Sequence, residues 1–313
     1  MLQSFFTNFV VAMENVKNDT PRGDMVRGYI LGIVAAVSYG ANPMFAIPLY
    51  GMGLSVASVL FYRYVGACMA LALVMVLTGK SFRLPLRDVM FMVGEGVLFA
   101  FSSLFLFMSY RYMDVGIATT LLFMTPVCVT LIMWLGYGET LTRLTVVSLC
   151  MAVAGIVCLY NPSGGTAGII GIGLVCMSSL AYAIYMVAIN KSRLRDVPGM
   201  TLTFYSLLFG SVVFVVNLDF LADLSPLQFT PACLLNIAGI AIVPTVISLL
   251  AIALSVRDVG SVVVSLLGAL EPVTGIVIGV CMFGERLSVI NVVGVMLILV
   301  SVTLVVLAPR LKH

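Results

Sequence analysis

Ten apolar runs, each 18 to 25 residues long, follow one another at 28–48, 54–78, 89–109, 116–137, 144–161, 168–189, 200–218, 233–254, 259–282 and 287–308. A bilayer core about 30 Å thick takes about 20 helical residues to cross. Each run therefore has the length of one transmembrane helix. The links are short, and the longest, Asp219 to Ala232, is too small to be a domain. The pattern predicts an all-α integral membrane protein with no compartment outside the membrane for an ordinary enzyme active site. Composition excludes the alternatives: 62% of the 313 residues are apolar and 9% charged. That is too little charge to clothe a soluble globule and too much apolar surface for a disordered chain. A net charge of +3 without a dense basic cluster excludes a nucleic-acid partner.

The placement of Lys and Arg orients the spans, because short cytoplasmic loops retain positive charge. With the N-terminus inside, thirteen basic residues fall on cytoplasmic segments: Lys17, Arg22, Arg27, Lys80, Arg83, Arg87, Arg143, Lys191, Arg193, Arg195, Arg257, Arg310 and Lys312. Arg111 and Arg286 fall on the other side, and Arg63 lies within a span. Both termini are expected in the cytoplasm, with the chain multi-pass in a bacterial-type cytoplasmic membrane. Residues 1–27 form a separate N-terminal segment, cytoplasmic or interfacial. Within it Leu2, Phe5, Phe6, Phe9, Val10 and Met13 recur at helical spacing, which fits a short interfacial helix. The segment lacks a basic n-region and a small-residue cleavage site. The alternative places the start of translation at Met25.

No metal site or cofactor is expected. The seven cysteines (68, 128, 150, 158, 176, 233, 281) form no CxxC pair and read as small packing residues. His313, the last residue, is the only histidine. No GxxxxGK[ST] loop is present, and Gly164-Gly165 lacks the lysine that phosphate binding by such a loop requires. ATP-driven pumping by this chain is not expected.

The sequence also repeats itself. A slide of 146 residues pairs Ser102 with Ser248, Arg111 with Arg257, Pro126-Val127 with Pro272-Val273, and Gly138-Glu139 with Gly284-Glu285. A slide of 143 serves the earlier spans, pairing Gly28 with Gly171, Tyr39 with Tyr182, and Phe61-Tyr62 with Phe204-Tyr205. Each unit holds five spans, an odd number, so the second copy is upside down relative to the first, as in many secondary transporters. The units are 28–161 and 168–308.

These features resemble the ten-helix EamA-type exporters of the drug/metabolite transporter superfamily. The resemblance rests on Tyr39-Gly40 in the first span and Tyr62-Arg63 in the second. It rests also on Thr125-Pro126 and Glu271-Pro272 in the fourth and ninth, and on the turns Gly138-Glu139-Thr140-Leu141 and Gly284-Glu285-Arg286-Leu287. It covers residues 28 to 308, and implies two inverted five-helix bundles around a central cavity that moves small metabolites, amino acids or drugs.

Ionisable groups deep in a span are costly, by about 2.5–3.5 kcal/mol even on insertion scales, and so mark candidate sites. Arg63, Glu95 and Glu271 are the three here. At 1.5 Å per residue Arg63 lies about 14 Å below the outer face, Glu95 about 9 Å above the inner face and Glu271 about 18 Å above it. Arg63 is expected to neutralise at least one carboxylate beside the cavity, leaving Glu95 and Glu271 as candidates for proton coupling. The alternatives are a fixed Arg–Glu pair serving helix packing and an arginine that meets an anionic substrate.

Around them, Tyr39, Tyr62, Tyr182, Tyr185 and Tyr205 offer rings and hydroxyls to a mixed apolar-polar solute. Asn42, Ser102, Ser103, Thr125, Ser206 and Ser248 offer hydrogen bonds, to a ligand or to neighbouring helices. Pro126, Pro244 and Pro272 lie within spans as candidate hinges. Gly28-xxx-Gly32 and Gly275-xxx-Gly279 read as close helix contacts. The expected function is a secondary active or facilitative transporter working by alternating access, as an exporter, and not an enzyme. A channel-like or receptor-like multi-pass protein is the runner-up, and an intramembrane enzyme ranks below it. The partners are a small-molecule substrate and lipid, with protons if coupling operates. One chain supplies both halves, and a dimer is compatible.

Overall fold

The computed structural model describes residues 21–307 apart from 139–142, 160–164, 193, 195–196, 228, 260–263, 265–266 and 269. The amphipathic pattern of residues 2–13, Glu139-Thr140-Leu141, Gly164, Arg193, Arg195 and the basic C-terminal tail lie outside the described residues. All regular structure among the described residues is helical. The helices are α1 (Pro21–Gly40), α2 (Asn42–Gly51), α3 (Val56–Leu77), α4 (Leu86–Ser109), α5 (Val115–Leu122), α6 (Thr125–Tyr137), α7 (Arg143–Leu159), α8 (Gly165–Lys191), α9 (Gly199–Asn217), α10 (Pro231–Ala241), α11 (Ser248–Val259), α12 (Leu270–Phe283) and α13 (Val289–Leu307), with a π-helical turn Ile242–Ile247 joining α10 to α11. Seven stretches are long and apolar enough to cross a membrane, and three shorter apolar helices, Val146–Cys158, Leu270–Phe283 and Val289–Ser301, complete the ten.

Several spans differ in detail from single rods. The first breaks at Ala41, the fourth at Phe123–Met124, and the eighth passes through the π turn and continues to Val259. Val259 thus belongs to the eighth span rather than opening the ninth. Proline explains the breaks, since it removes a donor and leaves the carbonyl four residues earlier without its partner. At three of these sites a neighbouring side chain takes over. Asn42 Nδ2 donates to Tyr39 O at 2.8 Å before Pro43. Thr125 Oγ1 donates to Leu122 O at 2.9 Å before Pro126, with Ser179 Oγ from α8 adding a second donor at 3.3 Å. Thr245 Oγ1 donates to Ile240 O at 3.0 Å after Pro244.

Pro126 and Pro272 therefore do not kink continuous helices. They stand in the first turns of α6 and α12, where a missing N–H costs nothing. Pro244 sits inside the π turn.

Packing crosses between the halves. The first span lies against the eighth and ninth, the second against the seventh and eighth, the third against the sixth and seventh, the fourth against the sixth and ninth, and the fifth against the tenth. Apart from a lighter contact of the fourth span with the tenth, swapping the halves maps this set onto itself among the described residues, as two inverted repeats require. Small residues make the approaches close. A Cβ on Gly28 would lie 2.7 Å from Asp258 Cβ on α11, and one on Gly32 would lie 2.9 Å from Ser255 Oγ. Gly40 abuts the α12 backbone, 2.6 Å from Glu271 O to a built Cβ, and Gly275 abuts Thr119 of α5.

The repeated Gly-Glu turn also gains a physical reading. Gly138 and Gly284 share φ +68°, the left-handed conformation that stops a helix. After Gly284, Glu285 reaches across to α5, its carboxylate accepting from Val115 N at 2.6 Å and Gly116 N at 3.1 Å. It thereby satisfies two amides that a helix start leaves without partners.

Candidate functional site

The breaks in the first and fourth spans face the start of α12, and a small cavity lies between them. It is lined by Tyr39, Gly40 and Asn42 at the α1–α2 break, Leu106 and Tyr110 at the end of α4, Thr119 and Leu122 of α5, and Glu271 of α12. Its volume of about 10 Å³ is room for roughly one water, so a larger solute needs the helices to separate. Two buried polar atoms on its wall have no hydrogen-bond partner among the described residues, Asn42 Oδ1 and the Tyr110 hydroxyl, and the ionisable Glu271 side chain lines the same wall. Asn42 and Tyr110 are buried, at 2% and 9% exposed, and a buried group left unpaired costs about 1–3 kcal/mol. A cleft of similar size between α3, α9 and α11 is lined almost wholly by aliphatic side chains and offers no such chemistry.

Arg63 stands beside this cavity at 2% exposure. Its Nε donates to Thr245 Oγ1 at 3.0 Å, and its guanidinium carbon lies 5.2 Å from the Phe107 ring centroid. Thr245 is the residue that satisfies the carbonyl freed by Pro244, so the arginine is tied directly to the π turn. The cation rests on a hydroxyl and an aromatic face, and among the described residues no ion pair joins it to Glu95 or Glu271. The expected neutralisation is therefore not formed in this conformation. The ion pair found among the described residues joins Arg27 on α1 to Asp258 at the end of α11, with Nε–Oδ2 and Nη2–Oδ1 both at 2.8 Å.

The remaining expected site residues separate into groups. Tyr182 and Tyr185 stack 5.5 Å apart at 12°, and Tyr185 packs 5.4 Å from Phe99. Glu95 is buried at 4% with Oε2 unpartnered, as is Ser206 Oγ on the facing helix α9.

Ser102 and Ser248 are occupied by helix contacts. Ser102 shares hydrogen bonds with Ser178 on α8, and Ser248 Oγ donates to Ala35 O at 2.9 Å. Thr125 serves its own broken helix, and Ser103 pairs with the Tyr64 hydroxyl at 2.7 Å. Tyr62 and Tyr205 turn away from the centre to loops at opposite ends, donating to Ser225 O at 2.9 Å and Phe82 O at 2.8 Å.

Tyr110, Thr119 and Thr245 belong to the site without having stood out in the sequence. Tyr110 follows the third apolar run and reads there as a loop residue, and Thr119 has no local mark. Thr245 carried a signal, a hydroxyl beside an in-span proline. Among the described residues no group of His, Cys, Asp and Glu is placed to hold a metal ion.

The model of the EamA-like transporter family matches residues 26–161 and again 169–307. The chain belongs to this family. The chain is similar to the "Uncharacterized transporter YvbV" of Bacillus subtilis (strain 168), 24% identical over 196 residues, 62% of this chain and 64% of that one. An "Uncharacterized transporter" of Archaeoglobus fulgidus is 26% identical over 178 residues, 56% of this chain and 59% of that one. The chain thus spans about three-fifths of the length of these relatives. A solved crystal structure superposes with a TM-score of 0.63 at 18% identity, over 91% of this chain and 99% of the other, and shows the shared fold. The duplicated EamA-like unit and the ten crossings make the protein a multi-pass, two-repeat membrane protein of the drug/metabolite transporter type.

Proposed function

We propose that the protein is a secondary transporter that exports small amine-bearing metabolites, amino acids or drugs across the cytoplasmic membrane by alternating access. The observation that carries this reading is the cavity where three broken or starting helices meet, with Asn42 Oδ1 and the Tyr110 hydroxyl unpartnered on a wall that also carries the Glu271 carboxyl. Asn42 Oδ1 and an ionised Glu271 carboxylate are pure acceptors, which favours a solute that brings N–H donors and positive charge. The rings of Tyr39 and Tyr110 suit the apolar part of such a solute. Glu271 has two ways to lose its charge inside the membrane, a proton or the solute's cationic group, and the cavity has room for one at a time. Competition between them couples solute efflux to proton entry. The basic bias of the inner loops supports cytoplasmic termini.

The test is counterflow in proteoliposomes, with solutes selected by thermal stabilisation from amino acids, nucleosides, organic acids and cationic drugs. Glu271→Gln is expected to abolish transport driven by a pH gradient while leaving solute exchange measurable. PH-gradient-driven transport unchanged in Glu271→Gln overturns the coupling role, and absence of saturable counterflow for every solute overturns transport.

A further inference from the structure

The two tyrosines that left the central site form matching ties at opposite ends of the molecule. At the outer end Tyr62, on α3 of the first half, donates to Ser225 O at 2.9 Å in the loop before α10 of the second half. The Ser225 N–H donates to Ser58 Oγ on α3 at 2.9 Å, and the Ser55 N–H donates to Ser225 Oγ at 3.1 Å. At the inner end Tyr205, on α9 of the second half, donates to Phe82 O at 2.8 Å in the loop before α4 of the first half. Thr201 Oγ1 on α9 donates to Ser81 O at 3.0 Å. Tyr62 and Tyr205, Ser58 and Thr201, and Phe82 and Ser225 are all separated by the same interval, the one that relates the early spans of the two repeats. The ties are thus one contact made twice, with the halves exchanging the roles of helix and loop.

Each tie fastens a second-type span of one half to the loop leading into the third-type span of the other, across the seam along which the halves must part. We propose that the Tyr62–Ser225 and Tyr205–Phe82 ties are the outer and inner gates of the transport cycle, and that opening to either side breaks one and keeps the other. Both are formed here, the state closed at both ends, in keeping with the cavity's small volume. The proposal rests on the alternating-access reading given above.

The gates are not equal in backbone terms. The outer loop carries three consecutive non-glycine residues in the left-handed region, Asp219 (φ +46°), Phe220 (+53°) and Leu221 (+74°), a conformation L residues disfavour. The inner loop has its positive φ at Gly79, +65°, where no side chain objects. The outer loop therefore holds the more strained backbone of the two.

A native reporter sits behind the outer gate. Cys233, on α10, is 0% exposed and neighbours Tyr62. The experiment is labelling of the full chain in nanodiscs with a membrane-impermeant maleimide, with modification at Cys233 followed by mass spectrometry.

Tyr62→Phe is expected to speed Cys233 labelling roughly two- to tenfold, the population shift that loss of one hydrogen bond gives. Tyr205→Phe, at the far face, is expected to slow it by a similar factor, because releasing the inner gate holds the outer one shut. Ser58→Ala and Thr201→Val should reproduce the two effects in kind, and the Tyr62→Phe/Tyr205→Phe double variant should return towards the native rate. A merely local role for Tyr62 leaves Tyr205→Phe without effect at Cys233, and that result overturns the proposal. So does acceleration by both variants. The labelling needs no transported solute, so its outcome is separate from that of the counterflow test.

Discussion

Glu285 shows how much one side chain in this fold does at a distance. Its carboxylate lies outside the membrane-spanning segments, where burial pushes the carboxyl above its ordinary value of 4.5, and the amides of Gly116 and Val115 only partly offset this. A carboxyl that holds its proton more tightly when folded stabilises the protein at low pH, and that contribution fades as pH rises from 4.5 through the raised value. Glu285→Gln keeps an accepting oxygen and removes the charge. Its melting temperature relative to the native chain is expected to climb as pH rises through that window, measured by thermal unfolding in detergent. Glu285→Ala instead strands two amides and is expected to cost about 1–2 kcal/mol at pH 7; equal behaviour of the two variants would remove the cap as the cause. Tyr64 offers a second test, since it is 0% exposed and its hydroxyl joins Phe99 O at 3.1 Å and Ser103 Oγ at 2.7 Å. Tyr64→Phe is expected to cost about 1–3 kcal/mol by the same assay, and a change within a few tenths would show water replacing the hydroxyl. The Gly-Glu repeat was plain in the sequence, yet the partner of Glu285 lies 170 residues away, and no local pattern names it.

Among the elements, hydropathy located the ten crossings because lipid tolerates only backbones that satisfy their own hydrogen bonds. It could not tell which crossings break, because a proline announces a freed carbonyl and not who will satisfy it. At Pro244 the answer is Thr245, which Arg63 holds in place. Thr245→Val therefore strips both Ile240 O and Arg63 Nε, with an expected cost of about 2–4 kcal/mol. Pro244→Ala restores an N–H to the turn, so in the double variant part of that loss is expected to return as a favourable coupling in a double-mutant cycle. Strict additivity would show that the threonine and proline act separately. The loop after α9 makes the opposite kind of prediction. Leu221, at φ +74°, is a position where glycine relieves strain, and Leu221→Gly is expected to raise stability by about 1 kcal/mol, with a fall in melting temperature as the contrary result. Arg63 and Glu271 were both legible as costly intramembrane charges. Their failure to pair was not, because reach along a span says nothing about which way each side chain turns.

For the whole molecule, the repeats are units of sequence and not of folding. Among the described residues the most extensive packing partnerships join a span of one half to a span of the other, so a half alone would present its seam to lipid with buried polar groups such as Asn42 and Arg63 stripped of cover. Residues 1–164 and 165–313 produced separately are expected to be degraded, while their co-production is expected to yield a complex that melts cooperatively; a stable, monodisperse single half would contradict the interleaving. The Arg27–Asp258 clamp carries this into the making of the protein. Its two ends are 231 residues apart, and at about 5–20 residues per second of synthesis roughly 12 to 46 s separate their emergence from the ribosome. The first span therefore enters the membrane long before Asp258 exists to meet Arg27. That interval is a window in which insertion can be supervised: the charge that the newborn helix carries at its end is the same one later consumed in closing the finished bundle.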